Sequence, residues 1–204
     1  ALDGIDAVGL AKHIRTLSSD VFEGRKPTSR GEDLTIQYMT RAFEGLGLEP
    51  GNGNSWVQEV PMVSITSDPE MTLTIERDEG ARDFSYGSDF VAWTQRVIDM
   101  SVIRNSEMVF VGYGIVAPEY GWNDYEGIDV HGKTVIVLVN DPGFVTVCVG
   151  QFNGRSMTYY GRWSYKYEEA ARQGAAGVVI VHETEAAGYP WEVVVGSWSG
   201  PSYD

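Results

Sequence analysis

The 204-residue chain is poor in the groups that usually carry chemistry. It holds one cysteine and three histidines, and no apolar run approaches about 20 residues. A single thiol excludes an internal disulfide, and the short apolar runs exclude a membrane-spanning helix. Basic residues are scarce as well: 15 Lys and Arg stand against 29 Asp and Glu, a net charge of −14. A nucleic-acid partner needs a basic face to displace counterions, so that class is excluded too. HExxH, CxxC, His-x-Asp and GxSxG are all missing. No zinc-peptidase helix, metal ribbon or serine elbow can therefore be nominated, and the catalytic and metal-ligating sets are empty.

What is present reads as an ordinary globular chain, 43% apolar and 22% charged. Leu10, Ile14 and Leu17 recur at helical spacing after a capping Asp6. Ser29 and Glu32 stand at capping-box spacing, ahead of the stripe Ile36, Met39, Phe43 and Leu46, with Gly47 as the stop. The texture then changes to branched and aromatic runs separated by turn residues: "WVQEVPMV", "MTLTIER", "EMVFVGYGIV" and "KTVIVLVN". A helix over about 164–173 and the strand "GVVIVHE" follow. The class expected is α+β, with two opening helices, a β-rich second half and one main helix there.

Several stretches invite a functional reading. "VFVGYGIVA" places Gly112, Gly114 and Ala117 as GxGxxA after a strand, with Asp141 further on. A dinucleotide site needs those glycines to open a helix, and Pro118 with the turn residues behind it denies one. His13 falls on a polar helix side, His131 in a Gly-flanked turn and His182 at a strand end. Alternation sends His182 and Glu183 to opposite faces, so "HETE" reads as a polar strand end. Cys148, inside "VTVCVG", reads as a small buried hydrophobe. "MTYYGRWSYKY" gathers Tyr159, Tyr160, Arg162, Trp163, Tyr165 and Tyr167. These types serve equally as core and as a recognition surface, and both readings stand.

Four stretches taken together carry a resemblance: "HIRTLSSDVFEGR", "RGEDLTIQYMTRAFEGLGLEP", "VFVGYGIVAPEYGWNDYEGIDVHGKTVIVLVNDPG" and "MTYYGRWSYKYEEAARQGAAGVVIVHE". In this order they resemble the N-terminal part of bacterial secreted zinc aminopeptidases, the di-zinc metallopeptidases that carry an inserted protease-associated domain. The resemblance implies that residues 1–82 open the peptidase domain and that 83–204 form the protease-associated domain. It also implies a secreted or periplasmic location; the start at Ala1 without methionine fits a processed secreted protein and a trimmed chain alike.

In that family two zinc ions are held by two His and three carboxylates, beside a Glu base, all placed after the insert. The chain ends at "GPSYD" before any of these, so the zinc pair is expected of the parent and no cofactor of this chain. What the resemblance implies here is a non-catalytic front of a zinc aminopeptidase. Its partners would be a peptide or protein substrate and the remainder of the peptidase domain. The alternative is a stand-alone peptide-binding module. "EEAARQGAAGVVIV" is then scaffold, with Gly174 closing a helix and Val178 to Val181 filling a core. Two polar or aromatic segments are candidates for substrate access: Glu23 and Arg25 in "FEGR", and Tyr160, Arg162 and Trp163. The apolar faces of the opening helices are expected to lie uncovered.

Overall fold

The computed structural model describes residues 6–147 and 150–203, and the reading of Cys148 falls outside them. By compactness the chain divides into two units, one up to Pro61 and one from Met62.

In the first unit helix α1 (Ala7–Leu17) begins where Asp6 accepts the Gly9 N–H at 2.8 Å, the cap that satisfies a free helix-start donor. A short 3-10 stretch, Asp20–Arg25, leads to α2 (Arg30–Gly45). Ser29 is its N-cap residue, but the reciprocal side-chain exchange expected of it does not form. Thr28 sits at φ 59°, and its N–H rather than that of Ser29 reaches the Glu32 carboxylate at 2.6 Å. Gly47, at φ 72°, ends the helix as expected. Its N–H bonds the Glu44 carbonyl and the Leu48 N–H reaches back to Phe43, which satisfies two orphan carbonyls. Leu10, Ile14 and Leu46 are all more than half exposed, and Phe22 is the one buried large apolar side chain among the unit's described residues.

"WVQEVPMV" is irregular rather than a strand. Pro61 has no N–H for a ladder, and regular pairing starts only at Ser64.

The second unit holds, in chain order, β1 (Ser64–Thr66), β2 (Thr72–Arg77), β3 (Gly80–Ser85), β4 (Met108–Phe110), β5 (Val116–Ala117), β6 (Trp122–Asn123) and β7 (Thr134–Leu138), then α3 (Gly143–Thr146), α4 (Trp163–Arg172), β8 (Gly177–Val181), α5 (Thr184–Ala187), α6 (Trp191–Trp198) and β9 (Pro201–Tyr203). Helices and small sheets occur together, so the class is α+β. Strands β2 and β3 form an antiparallel hairpin, which lies whole within this unit and includes residue 82. The first and last strands of the unit, β1 and β9, also pair antiparallel.

The centre is a three-stranded sheet in the order β4-β7-β8, parallel throughout. Val135 and Val137 of β7 are fully buried, and they pack with Val111, Tyr125, Val130 and Ala170. Alternation puts these valines on the face that α4 covers, Ala170 being α4's contribution. The helix closes at Gly174, at φ 76°, and the Gly174 and Ala175 N–H groups bond the carbonyls of Ala171 and Ala170.

The run "EMVFVGYGIV" is two short strands, not one. Gly112 and Gly114 sit at φ 55° and 64°, and the Asp124 carboxylate takes the N–H groups of Tyr113 and Ile115 at 3.1 and 3.0 Å. No helix follows them, only a 3-10 turn at Pro118–Tyr120. The donors that a phosphate would need are already held by Asp124.

Candidate functional site

Parallel strands end together, and the loops at their carboxyl ends are where side chains from separate segments converge. Here those loops follow β4, β7 and β8. Asn140, at φ 68°, turns the chain out of β7, and Asp141 behind it is fully buried. The Asp141 carboxylate accepts from the Gly143 N–H at 3.1 Å, the Thr158 N–H at 2.9 Å and the Thr158 hydroxyl at 2.7 Å. It thereby fixes the loop that leads into α4. Buried and in no salt bridge among the described residues, it is held chiefly by these hydrogen bonds.

Beside this loop the first turn of α4 and the α5 region border a half-open cavity of about 260 Å³, lined by Met157, Arg162, Trp163, Ser164, Ala187 and Tyr189. Its lining combines a cation, a hydroxyl, a phenol and two apolar walls. Arg162 is exposed and forms no ion pair among the described residues. Burial pushes the Tyr189 phenol up from its ordinary pKa, and the Arg162 charge pulls it back. Trp163 is stacked on Trp198, with ring centres 5.9 Å apart and planes 7° from parallel. Behind it His182 packs among Trp163, Tyr189 and Trp191. The buried ring nitrogens of His182 and the Trp163 Nε1 have no hydrogen-bond partner among the described residues. Unpaired buried polar atoms are uncommon in folded proteins, and here three gather in one aromatic cluster next to a cavity.

The nominated residues fall in both units. In the first, Glu23, Gly24 and Arg25 lie consecutively at φ 49°, 75° and 60°. Glu23 takes the Arg30 guanidinium at 2.6 Å with both side chains exposed, while the exposed Arg25 forms no ion pair among the described residues. In the second, Arg162 and Trp163 line the cavity. Tyr160 does not: it packs on the cluster of Ile115, Ala117, Phe152 and Tyr165. Its hydroxyl donates to Glu119 at 2.5 Å, a bond that with burial pushes the phenol up to about 12. Within the aromatic stretch Tyr165 is core, and Trp163 lines the cavity.

Sequence reasoning missed Met157, Ser164, Ala187 and Tyr189, since no local pattern marks such residues as the wall of a cavity. It also missed Lys166, whose amine is wholly buried. Nζ donates to the carbonyls of Tyr113 at 2.5 Å and Asn140 at 2.8 Å. Burial pushes the Lys166 amine down to about 7, against the pull of Asp124 and Asp141.

No family model, curated protein or solved structure matches the chain. Among the described residues no group of three or more His, Cys, Asp or Glu stands where it could hold a metal ion.

Proposed function

We propose that the chain is the non-catalytic front of a zinc-dependent aminopeptidase, and that its second unit recognises or admits peptide substrate. One observation supports this most directly: the cavity at the carboxyl edge of the parallel sheet, with Arg162 and Trp163 in its wall. A guanidinium fixes a carboxylate or a peptide carbonyl by paired hydrogen bonds, and an indole face holds an apolar side chain. A cavity of about 260 Å³ suits a part of a peptide, such as one residue with its flanking backbone, rather than a folded partner. No bond is broken here. The role is positioning, which restricts the conformations and identities of peptides that reach a reacting centre elsewhere.

Calorimetric titration with short apolar peptides tests this. Peptides should bind the wild-type chain, and Arg162→Ala should weaken them by on the order of tenfold, the worth of one charge-assisted contact, with an unchanged melting temperature. Absence of peptide binding by the folded wild type, or equal binding by the variant, overturns the reading.

A further inference from the structure

Asn140 is buried and touches neighbours of both cavity walls. Its Nδ2 donates to the carbonyl of Ala186, next to the wall residue Ala187, at 2.7 Å. A Cβ placed on Gly161, next to the wall residue Arg162, would come within 3.0 Å of the Asn140 Oδ1. The backbone carbonyl of Asn140 in turn takes the Lys166 amine, whose other bond reaches the turn after β4 at Tyr113. Lys166, one turn into α4, thus ties the helix to the residue on which both walls rest.

We propose that Lys166 and Asn140 form a proton-operated support for the cavity, firm when the amine is neutral and loosened when it is protonated. The proposal assigns a regulation to the recognition site and rests on that reading for its purpose, though not for its structural test.

The hydrogen-bond inventory fits either form equally, the amine leaving its lone pair and the ammonium its third hydrogen unmatched, so desolvation decides between them. An amine has two N–H groups, and two carbonyls receive them. The ammonium adds a third hydrogen and a full charge in a site closed to water, at a desolvation cost. Three groups facing the nitrogen soften that cost: Asp124 beyond β6, Asp141 beyond β7, and the Tyr113 ring centred 5.7 Å away. Tyr113 itself is pushed up by burial and by Glu183, Asp141 and Asp124, so it stays neutral where the lysine titrates. Burial outweighs the carboxylates and sets the Lys166 amine at about 7, against 10.5 for an ordinary lysine. The sign follows. The closed form holds fewer protons than an opened one in which Lys166 meets water, so closing is favoured as pH rises through neutrality toward the ordinary lysine value.

Hydrogen exchange tests this without any ligand. The Arg162 and Ala187 amides are bonded to Tyr159 and Glu183 and report on the two walls. Corrected for the intrinsic rate, their protection should rise by about tenfold between about pH 6 and about pH 8 if opening exposes the amine. In Lys166→Met, uncharged throughout, the rise should vanish. Flat protection in the wild type, or the same rise in the variant, overturns the proposal. Should the variant fail to fold, NMR titration of the wild-type lysine side chains decides: a Lys166 signal moving near neutrality supports the proposal, and one moving at the ordinary lysine value overturns it. Peptide titrations separate the two levels, because a cavity that binds no peptide at any pH but shows the protection change sinks the recognition reading alone.

Discussion

Asp124 shows how a single side chain replaces a ligand. Its carboxylate takes the N–H groups of Tyr113 and Ile115, closing the turn of Gly112 and Gly114 on itself. Asp124→Ala should leave both donors unpaired in a half-buried turn, a loss of about 2–3 kcal/mol that denaturant unfolding would read as a lower midpoint at unchanged slope. A midpoint unchanged by the substitution would show that the turn is held by its neighbours instead. At this scale the sequence was legible by residue type and blind to burial. Arg162 and Trp163 stand out because cations beside indoles are typical of recognition surfaces. Lys166 does not, because a lysine in a charged helix normally keeps its head in water. Its burial arises only when α4 lies across the ends of two strands that are distant in sequence.

Helix ends were the elements most open to sequence reasoning, because their signals are local. Asp6, Gly47 and Gly174 each do what their type and position suggest. Strands expected from branched residues alone fared less evenly: β2, β7 and β8 form, but the stretch before Ser64 stays irregular and "EMVFVGYGIV" breaks into two short strands. A strand exists only if a partner strand takes its hydrogen bonds, and no short window contains its partner. Gly174 allows a sharp test of the helix–strand unit. Its φ of 76° suits glycine, and an added Cβ would meet the His131 ring at 2.8 Å. Gly174→Val should cost about 1–3 kcal/mol through backbone strain and that contact, whereas Gly174→Asn, which tolerates the left-handed region better, should cost less. Thermal melting of the pair would check it, and a valine variant as stable as the wild type would mean that the turn is not confined.

At the scale of the molecule the two units are unequal in core. The first has Phe22 as its one buried large apolar side chain among the described residues, and leaves Leu10, Ile14, Leu46 and Leu48 largely exposed. The second has three packed clusters around the sheet and α4. Because buried apolar area is the main favourable term in folding, the units should not share one stability. Denaturant should therefore unfold the chain in two steps, the first unit opening at the lower concentration. Alkali identifies the later step. Burial pushes the phenols of Tyr113, Tyr125, Tyr165 and Tyr167 up, Tyr167 to about 12, and all four belong to the second unit. A raised folded-state pKa contributes stability that is complete below the ordinary tyrosine value of 10.0 and is lost as pH climbs toward 12. The second transition should accordingly move to lower denaturant between about pH 10 and about pH 12, together with the rise of phenolate absorbance. A single transition followed alike by tryptophan fluorescence and far-ultraviolet dichroism would show instead that core size does not separate the two unfolding steps.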